Sequence, residues 1–161
     1  MKKIILLFLA TLLTSTLFAE DTRVGLGIGI SDNATSIRMP IDVPMQEGNN
    51  LRLEPELALD YIDSSGGKTS NFTIGSGLYM TDDIDKDIQI YFGMKALFIS
   101  NDTTFGAVTT SSTNLNLSGL FGFEYFFHKK VSLGGEAGLG LNIGGTSQYG
   151  TLTAATLRYY F

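Results

Sequence analysis

Four aspartates fall within six residues, at Asp82, Asp83, Asp85 and Asp87. Carboxylates at that density are the donors a calcium loop uses, but such a loop also needs a central glycine and an acidic twelfth ligand. Counted from Asp83, the twelfth residue is Met94. The run therefore reads as a solvated turn, and no metal is expected. GLGIG begins like a phosphate-cradling loop, yet the third glycine of that pattern falls on Ile30 and no helical stretch follows. No cofactor is expected. Nucleophilic chemistry is poorly supplied, because the chain has no cysteine and a single histidine, His128, in the turn-like HKK with no plausible serine partner nearby. Asn33, Asn71 and Asn101 each begin N-x-T and read as loop composition.

What remains is a larger set of charged residues at alternate positions. In LRLEPELALDY, residues 51–61, one face of an extended chain carries Leu51, Leu53, Leu57, Leu59 and Tyr61, and the other carries Arg52, Glu54, Glu56 and Asp60. Seven further runs share the period: RVGLGIGI, SIRMPIDV, NFTIGSGLYM, IQIYFGMKALF, LNLSGLFGFEYFF, VSLGGEAGLGLNI and TLTAATLRYYF. Across all eight, the polar faces carry Arg23, Arg38, Asp42, Arg52, Glu54, Glu56, Asp60, Lys95, Glu124, Glu136 and Arg158, and the apolar faces carry no charge.

Eight strands separated by Gly, Asn, Asp, Ser and Thr make an antiparallel meander that can close on itself. The polar faces also hold most of the strand glycines. Glycine on the outside of a soluble barrel weakens a strand and packs nothing. Inside an eight-stranded barrel, just wide enough for side chains to fill, it makes room for long Arg and Glu. The expected fold is all-β, an eight-stranded antiparallel up-and-down transmembrane β-barrel with its apolar faces toward lipid. Five basic and six acidic residues then point inward. Charges removed from water require partners, so the set is expected to form a structural salt-bridge plug. Tyr125, Phe127, Tyr159 and Phe161 are expected as a periplasmic aromatic girdle, with Tyr61, Phe72 and Phe98 as the outer one. Outer loops are expected near residues 31–36, 63–71, 100–113 and 144–150, and inner turns near 44–50, 81–87 and 128–130. Pro40 and Pro55 fall inside strands, where a missing N–H implies a bulge or a strand end.

The 161 residues fit one domain, and a net charge of -5 argues against nucleic acid, which requires a basic surface. MKKIILLFLATLLTSTLFA has the charged start, apolar stretch and small terminal residue of a secretory signal peptide. Residues 1–19 are thus expected to be cleaved after Ala19, leaving residues 20–161 as the barrel domain.

The terminal TLRYYF, with Ala155, Leu157, Tyr159 and Phe161 alternating to the end, resembles the C-terminal signal by which outer-membrane barrels are recognised for assembly. With the signal peptide and eight runs, the chain resembles the small outer-membrane β-barrels, a group that includes the OmpA transmembrane domain, OmpX and the opacity-type porin-like proteins. LRLEPEL also resembles a strand common in that group. The resemblance implies residence in a Gram-negative-type outer membrane as a monomer. The implied partners are outer-membrane lipids, periplasmic chaperones and the barrel assembly machinery. Some small barrels modify lipid A using a histidine near a serine or aspartate at the outer end, whereas His128 lies in a turn expected on the periplasmic side. The function expected is non-enzymatic, with a structural, envelope-integrity or surface-interaction role. Two alternatives stay open: a narrow porin-like channel for small solutes, and a soluble periplasmic lipocalin-like carrier whose oily face lines a cavity.

Overall fold

A computed structural model describes residues 22–31, 34–45, 49–64, 67–144 and 147–161. The expected signal peptide and Asn33 lie outside the described residues. Nine strands follow in order: β1 (Arg23–Ser31), β2 (Thr35–Arg38), β3 (Ile41–Pro44), β4 (Asn50–Ser64), β5 (Gly67–Asp85), β6 (Ile88–Phe105), β7 (Val108–His128), β8 (Val131–Ile143) and β9 (Gln148–Tyr160). Strands β3 to β9 pair antiparallel in sequence order, and β1 pairs with β9 to close the ring. Because β2 and β3 both pair with β1 and with β4, they are two halves of one strand, and the ring has eight staves.

Two prolines make that break. The Met39 N–H donates to the Pro55 carbonyl at 3.0 Å, and the Gly25 N–H donates to the Pro40 carbonyl at 2.9 Å. In an antiparallel ladder a residue's N–H and C=O point to the same neighbour. The donor missing from Pro55 therefore faces the gap between β2 and β3, and the one missing from Pro40 faces β1 across the same gap. Pro40 ends a strand, as expected. Pro55 is neither a bulge nor an end, and it stays within β4 in register with Ser76. Alternation lapses at the break, where residues 38–42 are all buried. Met39, expected to face lipid, is 0% exposed, at the interruption between β2 and β3.

Elsewhere the pleat sorts the chain by polarity. Leu53, Leu78, Met94 and Leu139 stand on the outside, with Met94 and Leu139 each 71% exposed. The interior holds the charged residues, together with Tyr79 and Tyr91 packed edge to face at 5.4 Å and Leu120 beside them. The carrier alternative required an oily lining and a charged exterior, and the observed polarity is the reverse. Tyr125, Phe127, Tyr159 and Phe161 are exposed at the end where the described chain starts and stops. Tyr61 and Phe98 are exposed toward the other end, and Phe72 is half-buried there. Phe92, Phe121 and Phe123 also face outward between these sets, so aromatics are not confined to two girdles.

The expected loops of residues 63–71 and 100–113 are largely strand. β4 and β5 remain paired to Ser64 and Gly67, and β6 and β7 to Phe105 and Val108, around the two-residue turn Gly106–Ala107. Ser and Thr in these segments resemble turn chemistry, but β-branched Thr suits a paired strand equally well. The inner turns are also tighter than expected, at Lys86–Asp87 and Lys129–Lys130, each flanked by a register shift. On one side of the ring four strands outgrow the rest. Pairing of β2 with β4 stops at Ser36 and Ala58, and pairing of β7 with β8 stops at Leu115 and Ile143. Above those points β4, β5, β6 and β7 continue as a four-stranded sheet. A tilted strand spans a bilayer in about 9–11 residues, whereas β5, β6 and β7 have 19, 18 and 21.

Candidate functional site

The interior charges come from seven staves and meet because the pleat turns every second side chain inward. Closure supplies the remaining contacts. Arg23 bonds Asp42 at 2.8 Å, and Asp42 bonds Arg52 at 2.6 Å. Arg52 bonds Glu124 at 2.7 Å, and Glu124 bonds Arg158 at 3.0 Å. Arg158 bonds Glu54 at 2.9 Å, and Glu54 lies 3.5 Å from Arg38. The chain of alternating sign then closes into a ring. Arg38 bonds Glu136 at 2.8 Å, Glu136 bonds Lys95 at 3.1 Å, Lys95 bonds Glu56 at 2.9 Å, and Glu56 returns to Arg38 at 3.4 Å.

Ten of the eleven expected residues are joined in this way, five of each sign. Asp60 is not among them. It sits in the outer part of β4, half-buried beside Asn71, where the barrel rim gives way to the protruding sheet. Removing it makes the network neutral. Arg52, Arg158 and Glu124 are 0–1% exposed, while Arg23, at the mouth near the described termini, has a side chain 33% exposed.

Neutral groups complete the network. Gln89 accepts from Arg52 at 2.8 Å and from Arg23 at 3.3 Å, and its amide donates to Asp83 at 2.8 Å. The Tyr160 hydroxyl donates to Glu124 at 3.0 Å and accepts from Arg52 at 3.0 Å. Ser132 donates to Glu124 at 2.7 Å, and Thr156 accepts from Arg158 at 2.9 Å. The Arg23 guanidinium lies over the Tyr160 and Phe126 rings, 4.4 and 4.9 Å from their centroids. Charge alone singles out none of Gln89, Ser132, Thr156 or Tyr160. Their signal is phase, since each occupies the inward position of an alternating run. The glycines serve the same packing: a Cβ at Gly29 would meet the Arg38 guanidinium, and one at Gly122 would strike the Tyr91 ring.

The other candidates lie apart from the network. Asp83 is held by Gln89, Asp85 accepts from the Lys86 N–H at 2.7 Å, and Asp87 lies 3.7 Å from the Lys86 ammonium. Three of the four aspartates of the turn thus contact Gln89 or Lys86. Among the described residues, no group of three or more potential ligands is arranged for a metal ion. His128 sits at the β7–β8 turn and its Nδ1 accepts from the Lys130 N–H at 3.3 Å. Ala155, Leu157, Tyr159 and Phe161 line up on the outer face of the last strand and the residue after it, with the Tyr159 and Phe161 rings 5.7 Å apart.

What this arrangement can do is hold charge in place. Every cation in the network touches at least one carboxylate and every carboxylate at least one cation. They share the interior of the ring with the buried Tyr79, Tyr91 and Leu120.

No family model and no curated protein matches the sequence. Solved structures do match in fold. Neisserial surface protein A is 17% identical at a TM-score of 0.53, over 87% of this chain and 94% of its own. Ail, the attachment invasion locus protein of Yersinia pestis, is 11% identical at 0.55, over 87% and 95%. A major outer membrane protein of Thermus thermophilus is 13% identical at 0.54, over 88% and 100%. The fold is that of the small eight-stranded outer-membrane β-barrels.

Proposed function

We propose that the chain is a non-enzymatic protein of a Gram-negative-type outer membrane. Its barrel is an anchor plugged by the salt-bridge network, and its four-stranded extension acts in surface contact or envelope integrity. One observation carries the reading: the polarity is inverted, with ten ion-paired charges inside and large apolar side chains such as Met94 and Leu139 outside. A lipid solvent accounts for both faces. An interior whose charges neutralise one another offers rigidity, whereas a solute pathway needs groups left free to exchange partners. Lipids, periplasmic chaperones and the assembly machinery are the partners this reading requires, with Phe161 and its alternating neighbours as the assembly signal. The shared fold of proteins named for surface display and attachment supports placing the protruding sheet outside the cell.

The test combines location and conductance. Unboiled protein should migrate differently from boiled protein on SDS gels, and Ala107→Cys in the β6–β7 turn should react with a membrane-impermeant thiol reagent on intact cells. Planar-bilayer recordings should be silent. Recovery from the soluble periplasm without the gel shift would end the barrel reading, and steady wild-type conductance would end the plug.

A further inference from the structure

Among the described residues, the protruding sheet has two edges without a paired strand, and they differ in character. On the β4 side, residues 59–64 carry Asp60 and Asp63, and Lys68 reaches Asp63 at 3.6 Å. Charged side chains are the usual guard against edge-to-edge pairing. The β7 side has none. From Val108 to Asn114 the sequence is VTTSSTN, with no charge and no proline. Residues 108–113 are all exposed, and β8 pairs with β7 only from Leu115 down. Alternate residues of an edge strand present both N–H and C=O outward, so this segment is a template for an added strand.

We propose that the added strand is the same segment of a second copy, paired antiparallel and held on an apposed membrane. The proposal rests on the reading that the long-strand end faces outward. Residues 109–113 are self-complementary about Ser111: Ser111 meets Ser111, Thr110 meets Ser112, and Thr109 meets Thr113. Uncharged Thr and Ser pairs are favourable across antiparallel strands. The β4 edge lacks this property, because aligning residues 59–64 with themselves sets Asp60 opposite Asp63. Symmetry decides where the second copy stands. Copies in one membrane share the direction of β7, so an axis along the membrane normal gives only parallel strands. Antiparallel self-pairing needs a two-fold axis in the plane between two membranes. Each barrel remains a monomer in its own bilayer, and contact runs from surface to surface.

The native chain has no cysteine, so engineered thiols report the register directly. The full chain is folded into lipid nanodiscs, one barrel per disc, and its boiling-dependent gel shift confirms the barrel. With Ser111→Cys, oxidation should link two discs, since residues directly opposite bring Cβ atoms to about 4.5–5.5 Å, near disulfide reach. Thr109→Cys should link to Thr113→Cys but not to itself. Ser111→Lys should abolish disc pairing measured by size-exclusion chromatography, and mixing it with Ser111→Glu should restore it. Self-linking of Thr109→Cys would show parallel neighbours, and linking of Ser111→Cys to Tyr61→Cys would show pairing with the β4 edge; either overturns the proposal. So does a complete absence of links in discs whose barrels are folded, a result that leaves the anchor reading intact.

Discussion

Arg158 is the most informative residue to remove. Its side chain is 0% exposed and holds Glu54 at 2.9 Å and Glu124 at 3.0 Å, joining the lower part of the network to the ring around Arg38. Arg158→Met keeps much of the stem and deletes the charge. Glu124 would retain Arg52 at 2.7 Å, Ser132 and Tyr160, whereas Glu54 would retain only Arg38 at 3.5 Å. The network would pass from neutral to a net charge of -1, with the excess on Glu54. Removing one partner of a buried pair costs about 3–5 kcal/mol, mostly as the penalty of the charge left behind. That corresponds to a drop of roughly a hundredfold to several thousandfold in the folding equilibrium. Adding Glu54→Gln restores neutrality and should recover about 0.5–3 kcal/mol, the range of coupling between contacting residues. Arg158→Lys should fall between wild type and Arg158→Met, because a point charge cannot face two carboxylates with a planar fork. The assay is urea-dependent folding into lipid vesicles, followed by tyrosine emission, since the chain has no tryptophan, and by the boiling-dependent gel shift. An Arg158→Met variant within about 0.5 kcal/mol of wild type, the usual range for uninvolved surface sites, would refute the reasoning. So would a double variant whose loss equals the sum of the two single losses.

Asp60→Asn should change folding stability by no more than about 0.5 kcal/mol in the same assay, because Asp60 stands outside the network. Met94→Arg should destabilise by about 2–4 kcal/mol if that face meets the bilayer interior, and an equal effect from Thr110→Arg in the protruding sheet would contradict the assigned depth. Gly122→Ala sets a methyl group against the Tyr91 ring and should cost about 1–3 kcal/mol as overpacking, with Tyr91→Leu in the same chain recovering part of it. Phe161→Ala should lower the amount of folded barrel in the outer-membrane fraction while leaving folding into vesicles unchanged, which separates an assembly signal from a stability effect.

The sequence by itself determined the polarity of this protein. A period of two is local, and it places Arg52, Glu54 and Glu56 on one face and Leu51, Leu53 and Leu57 on the other without reference to any partner strand. The same phase marks Gln89, Ser132 and Tyr160 as inward, although nothing local shows that they bind charge. Which carboxylate meets which cation was decided only by closure. Glu54 and Arg158 are 104 residues apart in sequence, and they meet because the β1–β9 seam brings the last strand round beside the first, with a stagger no single strand encodes. Asp60 alternates in phase with Glu54 and Glu56 yet lies too near the rim to join them, a matter of height that depends on where neighbouring strands stop. The reach of the hairpins was likewise hidden, since Thr and Ser serve a turn or a paired strand equally well and only the continued ladder between β6 and β7 separates the two. Pro40 and Pro55 were visible as missing donors. That both donors are missing at one gap, so that a single interruption accommodates two prolines, is a fact of register, and register exists only once the strands have paired.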